Sequence, residues 1–144
     1  FPRFGADPRY GPDLMREIDY SCYAGSSVFL STPSDLVRFA TAINSGRLLQ
    51  PATVQLLQTS QRLASGQETG YGLGWDLETD VLAGEQSRLV GHDGESLGGM
   101  VASFMTFPKP GIVVAVASNV SYADTHSLAV KIAQAFAEQR GGPG

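Results

Sequence analysis

The chain has 144 residues, of which 42% are hydrophobic and 17% charged, and its formal net charge is −4. This length and composition predict one globular domain with a sizeable buried core. The sequence holds no basic run, so we expect no nucleic-acid partner, because binding to a phosphate backbone depends on clustered lysines and arginines. With one cysteine and two histidines we expect no internal disulfide, no metal and no cofactor, and no apolar run approaches the ~20 residues of a membrane helix.

The first third of the chain predicts a loop followed by two helices. Residues 1–18 are rich in proline, glycine and charge, and we expect a loop or the remnant of an upstream region. Thr32 can cap the first helix, with Pro33 in the first helical position, Asp35 completing a capping box and Gly46 ending the helix. Apolar residues recur at helical spacing in both helices: Leu36, Phe39, Ala40 and Ile43 in the first, and Val54, Leu56 and Leu57 in the second, which begins at Pro51.

The second half predicts four strands, at residues 71–78, 88–92, 99–107 and 112–117. Pro108-Lys109-Pro110-Gly111 has the composition of a turn, so strands three and four should form an antiparallel hairpin. The last strand is apolar at every position, which predicts that it is covered on both faces.

A closing helix completes the predicted fold. Ser121 or Asp124 can cap it, and residues 140–144 should form a flexible tail. Its apolar stripe comprises Leu128, Ala129, Ile132, Ala133 and Phe136. The predicted fold class is α+β, with an antiparallel sheet flanked by helices.

The stretch GHDGESLGG at residues 91–99 allows three interpretations. Its centre fits G-x-S-x-G, the nucleophile elbow, with Ser96 as the nucleophile. An elbow needs a helix directly after the serine, whereas β-type residues follow here, and Asp124 and His126 are too close in sequence to align as acid and base. The glycines could instead form a bulged turn that leaves His92 exposed and without a role. We favour the third interpretation, a strand edge that carries His92, because of its neighbourhood.

Several stretches together resemble the C-terminal part of the serine β-lactamase-like family, which includes class C β-lactamases and penicillin-recognising esterases and peptidases. They are AGSSVFLSTPSDLVRFATAINSGRLL, GYGLGWDL and GHDGESLGGMVASFMTFPKPGIVVAVASNV. DYSCYAGSSVFLST is similar to the mitochondrial-type branch. The resemblance covers residues 19–139 and implies the C-terminal portion of a β-lactamase/transpeptidase-like fold. It is compatible with a periplasmic or secreted location.

The resemblance also implies a set of site residues. His92-Asp93-Gly94 would be the third box of the family, in which His92 supplies a donor or a cation beside the nucleophile. Gly94 would let the substrate approach the backbone, and the amide of Glu95 would stabilise the oxyanion. Asp93 stands where most members have threonine or serine, and its carboxylate would repel a carboxylate-bearing substrate. Asn119 resembles a residue near the substrate carboxylate, and the alternative is a plain turn at the end of the strand.

Two further boxes of the family are missing from this sequence. The residues three before Lys109 and Lys131 are Thr106 and Leu128, so no Ser-x-x-Lys occurs, and Tyr-x-Asn has no match in the expected order. We therefore expect the C-terminal piece of a longer hydrolase that acts on an ester, amide or peptide through an acyl-enzyme. This chain would not acylate alone, and it would self-associate or pair with the missing N-terminal part. The alternative is a non-catalytic binding or assembly module with the same fold.

Five other residues have simpler expectations. Trp75 should lie in the core, and Cys22 should be a buried or half-buried small residue. Ser103 and Thr106 should be the more polar positions of a strand, and His126 should be exposed and without a role.

Overall fold

A computed structural model of the chain describes residues 17, 19–23, 25, 29–96 and 99–141. Apart from Glu17, the predicted loop at residues 1–18 lies outside these residues. The helices and strands are α1 (Pro33–Asn44), α2 (Pro51–Leu57), β1 (Asp76–Leu82), β2 (Glu85–Glu95), β3 (Val101–Phe107), β4 (Ile112–Ser118) and α3 (Thr125–Gly141), preceded by a 3-10 turn (Ser21–Tyr23). The strands form one antiparallel sheet in the order β1-β2-β3-β4. The predicted α+β class is confirmed.

Helix α1 has the predicted boundaries. The Thr32 hydroxyl accepts a hydrogen bond from the backbone N–H of Asp35 at 3.1 Å, which satisfies one of the free donors at the helix start. Pro33 occupies the first helical position. Gly46 follows the C-cap with φ +74°, a left-handed conformation that glycine adopts without steric cost.

The first strand begins later than predicted. The backbone N–H of Gly72 donates to the carbonyl of Trp75 at 2.7 Å, so this segment turns, and β1 begins at Asp76. The reason is the packing of Gly72 on α2, where a Cβ atom would overlap the carbonyl oxygen of Leu57. The predicted hairpin of β3 and β4 is confirmed, with Phe107 paired to Ile112.

Helices cover the two faces of the sheet, as the apolar sequence of β4 predicts. Helices α1 and α3 both contact this strand. The α3-face core comprises Leu82, Leu89, Met105, Phe107, Ile112, Val114, Ala129 and Ala133. The α1-face core comprises Ile43, Trp75 and Val90, with Val54, Leu57, Leu77 and Phe104 packed against it.

The apolar stripe of α3 is narrower than predicted. Ala129 and Ala133 are fully buried, whereas Leu128 and Phe136 are largely exposed. Small side chains at the contact let the helix lie close to the sheet, which leaves the larger residues at its margins. The helix also continues into the predicted tail, where Arg140 donates to the carbonyl of Pro110 at 2.7 Å.

Burial bears on four other expectations. Ser103 and Thr106 are polar positions of β3, as predicted, and both are completely buried. Cys22, expected to be at least half-buried, is exposed in the short turn before α1. Trp75 lies in the core as predicted. No helix within the described ranges is both long and apolar enough to cross a membrane.

Candidate active site

The end of β2 extends beyond its neighbour β1. Pairing with β1 ends where Gly91 faces Asp76, but pairing with β3 continues until Glu95 faces Val101. Residues 92–95 therefore have one edge without a partner strand among the described residues. Edge backbone groups of this kind are free to pair with another chain or with a substrate.

No helix begins behind Ser96 within the part of the chain that the structure describes. Its backbone N–H donates to the carbonyl of Met100 at 2.8 Å, and the next element is the strand β3. Leu97 and Gly98 of the G-x-S-x-G match lie outside the described residues. The elbow interpretation of Ser96 is therefore wrong, and the strand interpretation of His92 is confirmed.

Two groups hold the imidazole of His92. Its Nδ1 lies 2.6 Å from the carbonyl oxygen of Asp93, and its Nε2 lies 3.0 Å from the hydroxyl of Tyr71. Because a carbonyl only accepts, Nδ1 carries a proton, and in the neutral ring Nε2 accepts from Tyr71. The two rings meet edge to face at 5.8 Å, and Asp76 Oδ2 lies 4.0 Å from Nε2.

The edge to which each backbone N–H group at the end of β2 points follows from one hydrogen bond. In an antiparallel strand, successive peptide groups point to opposite edges. Since the N–H of Ser96 points to β3, the N–H of Glu95 points to the open edge. The amide predicted as an oxyanion donor thus faces the side where β1 has ended.

Asp93 faces the α3 side of the sheet, opposite to His92. Its Oδ2 accepts from Nδ1 of His126 at 2.7 Å, and Glu78 Oε2 lies 3.9 Å from the other ring nitrogen. The hydrogen bond to Asp93 raises the pKa of His126, and the charges of Asp93, Glu78 and Asp124 add to this effect while burial opposes it. His126 was expected to be exposed and without a role. It is instead half-buried and hydrogen-bonded to Asp93, because the first turn of α3 places it against β2.

A shallow cleft of about 390 Å³ lies beside this pair. Its lining comprises Asp93, Gly94, Glu95, Val101, Ala102, Ser103, Ser121, Ala123, Asp124, Thr125 and His126. On its floor, Ser103 donates to the Thr125 hydroxyl at 2.8 Å. At its rim, Asp124 caps α3, as predicted, and hydrogen bonds from the hydroxyl and the backbone N–H of Ser127 lower the pKa of Asp124.

The predicted site residues are thus divided between the two faces. His92 and Gly94 face the α1 side by strand alternation, and a Cβ atom on Gly94 would meet nothing within 4 Å. Asp93 and Glu95 face the cleft on the α3 side. Asn119 is exposed just after β4, at the same end of the sheet but outside the cleft lining.

Sequence reasoning missed Tyr71 and the contact made by His126. The alternation of side chains along β2 already places residues 92 and 93 on opposite faces. The contact of Tyr71 with His92 joins residues 21 positions apart, and that of His126 with Asp93 joins residues 33 positions apart. Both contacts depend on how the Gly72 turn and α3 pack, for which the sequence holds no local signal. Among the described residues, no group of three or more His, Cys, Asp or Glu could hold a metal ion.

Known proteins are similar to this chain in sequence and in fold. The family model described as Beta-lactamase matches residues 2–137. Penicillin-binding protein 4* of Bacillus subtilis strain 168 is 31% identical over 87 residues, which are 58% of this chain and 19% of that protein. The chain therefore spans about a fifth of the length of this curated relative.

Two solved structures are similar at a TM-score of 0.51. The D-stereospecific amidohydrolase from Streptomyces sp. is 22% identical, with 69% of this chain and 28% of that chain covered. The D-amino acid amidase from Ochrobactrum anthropi SV3, solved with D-phenylalanine, is 21% identical, with 76% and 36% covered. At such identities the likeness concerns the fold alone. Because the family model spans nearly all of the sequence and the fold agrees with it, the chain belongs to the beta-lactamase family of serine hydrolases.

Proposed function

We propose that this chain supplies the oxyanion strand and the third box of a serine hydrolase that cleaves an ester, amide or peptide through an acyl-enzyme. The observation that carries the proposal is the open edge of β2 at residues 92–95. Acyl transfer needs a nucleophile, a proton acceptor and donors aimed at the tetrahedral oxyanion. The edge provides one such donor and an imidazole within a few residues of each other.

The oxyanion donor is the backbone N–H of Glu95. It points to the open edge, and its strand is held on the other side by pairing with β3. A backbone donor fixed in this way needs no rearrangement when charge develops on the substrate. Gly94 adds free space directly before it, so the substrate carbonyl can approach the backbone closely.

His92 places its imidazole beside the nucleophile. Its proton on Nδ1 is directed to the Asp93 carbonyl, which leaves Nε2 to exchange a hydrogen bond with Tyr71. Tyr71 is then a positioning residue that fixes the ring and its tautomer. An imidazole can accept or donate a proton, so the ring can pass a proton or donate a hydrogen bond to a substrate anion.

The nucleophile belongs to a segment upstream of this chain in the same protein. This sequence contains no Ser-x-x-Lys. Exposed apolar side chains lie on or beside α1 and α2, which pack on the same face of the sheet as His92, and a covering segment would bury them. They include Phe39, Leu56 and Leu73. Without that segment we expect the chain to self-associate, and a monomer in gel filtration would argue against this part of the proposal.

Labelling of the active serine tests the proposal. The chain alone should not react with a fluorescent penicillin or a fluorophosphonate, whereas the chain joined to its upstream region should. In the joined protein, His92→Ala should lower ester hydrolysis by about 10²-fold or more, which is the range of general acid–base catalysis. Labelling of the chain alone that disappears in Ser96→Ala would instead make Ser96 the nucleophile.

Gly94→Ala and Tyr71→Phe refine this test. A methyl group at position 94 meets open space, so the fold should tolerate it while substrate approach is hindered and kcat/KM falls. Tyr71→Phe removes only the hydroxyl that contacts His92, so the imidazole is held less firmly and kcat/KM should fall. If both variants keep the wild-type rate, the edge of β2 is not the reaction site.

The second candidate is a non-catalytic binding or assembly module with the same fold. The carboxylate of Asp93 in the third box favours it, since a negative charge near an oxyanion opposes acyl transfer. An upstream region without Ser-x-x-Lys would support this candidate. An upstream region that carries it, in a protein whose hydrolysis depends on His92, would support the enzyme.

A further inference from the structure

We infer that His126 is a positioning residue that neutralises the carboxylate of Asp93 and so lets the site accept substrates that carry a carboxylate. This inference rests on the proposed function. It addresses the residue that departs from the family pattern, because threonine or serine would bring no charge to this position. The observation that supports it is the 2.7 Å hydrogen bond between His126 Nδ1 and Asp93 Oδ2.

The geometry directs the carboxylate away from the open edge. Asp93 lies two residues before Glu95 on β2, but its side chain faces α3 while its carbonyl contacts His92. Its cross-strand partner is Ser103, which is fully buried and donates to Thr125 in α3. The start of α3 is therefore fixed against β3, and it presents the next residue, His126, to the carboxylate.

The charges around His126 favour its protonated form. Asp93 on β2 accepts its hydrogen bond, Glu78 on β1 lies 3.9 Å from the second ring nitrogen, and Asp124 precedes it at the start of α3. Glu95 lines the same cleft, and Lys131 interacts with Asp124. The imidazolium thus sits among carboxylates, and it is the cation that offsets the charge of Asp93.

The consequence is a substrate preference that depends on pH. When His126 is protonated, the pair with Asp93 is neutral, and a substrate carboxylate can bind near the third box. When the proton is lost, Asp93 regains an uncompensated charge, which repels an anionic substrate more than a neutral one. The ratio of kcat/KM for an anionic to a neutral substrate should therefore fall as pH rises through the pKa of His126.

The first test measures the ion pair in this chain. With two histidines in the sequence, an NMR titration of labelled histidine can be assigned with His92→Gln. We expect the titration midpoint of His126 to fall when Asp93 is replaced by Asn. An unchanged midpoint in Asp93→Asn would overturn the inference.

The second test measures preference in the chain joined to its upstream region. The substrates are benzylpenicillin, which carries a carboxylate, and p-nitrophenyl acetate, which is neutral. His126→Gln should lower the anionic-to-neutral ratio about fivefold below pH 6.5, a factor that corresponds to about 1 kcal/mol between charges near a protein surface. Removing the carboxylate as well, in Asp93→Asn with His126→Gln, should restore the ratio.

His126→Lys is the matched control, because it keeps a cation that does not titrate near neutral pH. It should retain the ratio and flatten its pH profile, while thermal melts check that each variant folds. An active wild type whose ratio is the same in His126→Gln would overturn this inference alone. A wild type that hydrolyses neither substrate would overturn the proposed function, and this preference with it.

Discussion

The two faces of the sheet differ in how completely the described residues cover them. On the α3 side, one helix closes a continuous core that includes the fully buried Phe107 and Ala133. On the α1 side, the buried core is smaller, and Phe39 of α1 contacts Phe104 but remains 49% exposed. His92 lies on this less covered side. The described residues thus close the core on the α3 face, and under the proposed function the upstream segment would pack on the α1 face.

The largest test of this difference compares two Phe→Ala substitutions. Phe107→Ala should lower the free energy of unfolding by about 3–5 kcal/mol, because it leaves a cavity in the α3-face core. Phe39→Ala should cost less than about 1 kcal/mol, because half of the side chain is already in water. Urea unfolding measures both. Equal losses would show that the two faces are equally covered in solution.

A pair of glycines sharpens the comparison along β2. A Cβ atom at Gly91 would overlap the carbonyl oxygen of Phe104 and lie 3.0 Å from Met105 Cα, so Gly91→Ala should cost about 1–3 kcal/mol. Gly94→Ala points into open space on the α1 side and should change stability by less than about 0.5 kcal/mol. Thermal melts of the two variants check this contrast. A large loss at position 94 would mean that the end of β2 is covered.

The Asp93–His126 pair predicts a pH-dependent stability on the α3 side. The folded-state pKa of His126 is raised by Asp93, so the pair contributes fully below the unfolded-state pKa of about 6.5 and loses this contribution as pH rises through the folded pKa. Near pH 6 the free energy of unfolding of the wild type should exceed that of Asp93→Asn by about 1 kcal/mol at most, because the side chains of His126 and Asp93 are 36% and 42% exposed. The gap should close at alkaline pH in urea unfolding. A gap that grows with pH would contradict the assignment.

The smallest expected effect lies in the β1–β2 turn. Ala83 and Gly84 both have positive φ, +49° and +80°, which is the conformation of a type I′ turn that favours Asn-Gly. Ala83→Asn should raise stability by about 0.5 kcal/mol, because asparagine tolerates the left-handed conformation better than alanine. The N–H that Ala83 donates to Gln134 at 2.9 Å is retained. Ala83→Val is the control and should lower the melting temperature.

Local patterns account for the elements that were predicted correctly. Thr32, Pro33 and Gly46 carry their own start and stop signals, and Pro108 to Gly111 carry the turn that pairs β3 with β4. The late start of β1 was not predicted, because the residues around Trp75 are of a type common in strands. They form a turn instead, and this turn depends on the packing of Gly72 against α2. The narrow stripe of α3 was missed for a similar reason, since periodicity does not say which of its apolar residues the sheet contacts.

For the site, the sequence by itself determined the family to which the chain belongs, and it predicted a box at residues 92–94 on a strand. The tertiary structure decided what surrounds the box. Tyr71 reaches His92 and His126 reaches Asp93 across long stretches of chain, and β1 ends before the box to leave its edge open. The physical reason is that hydrophobic period and turn chemistry act over a few residues, whereas these contacts follow from the packing of whole helices and strands against one another.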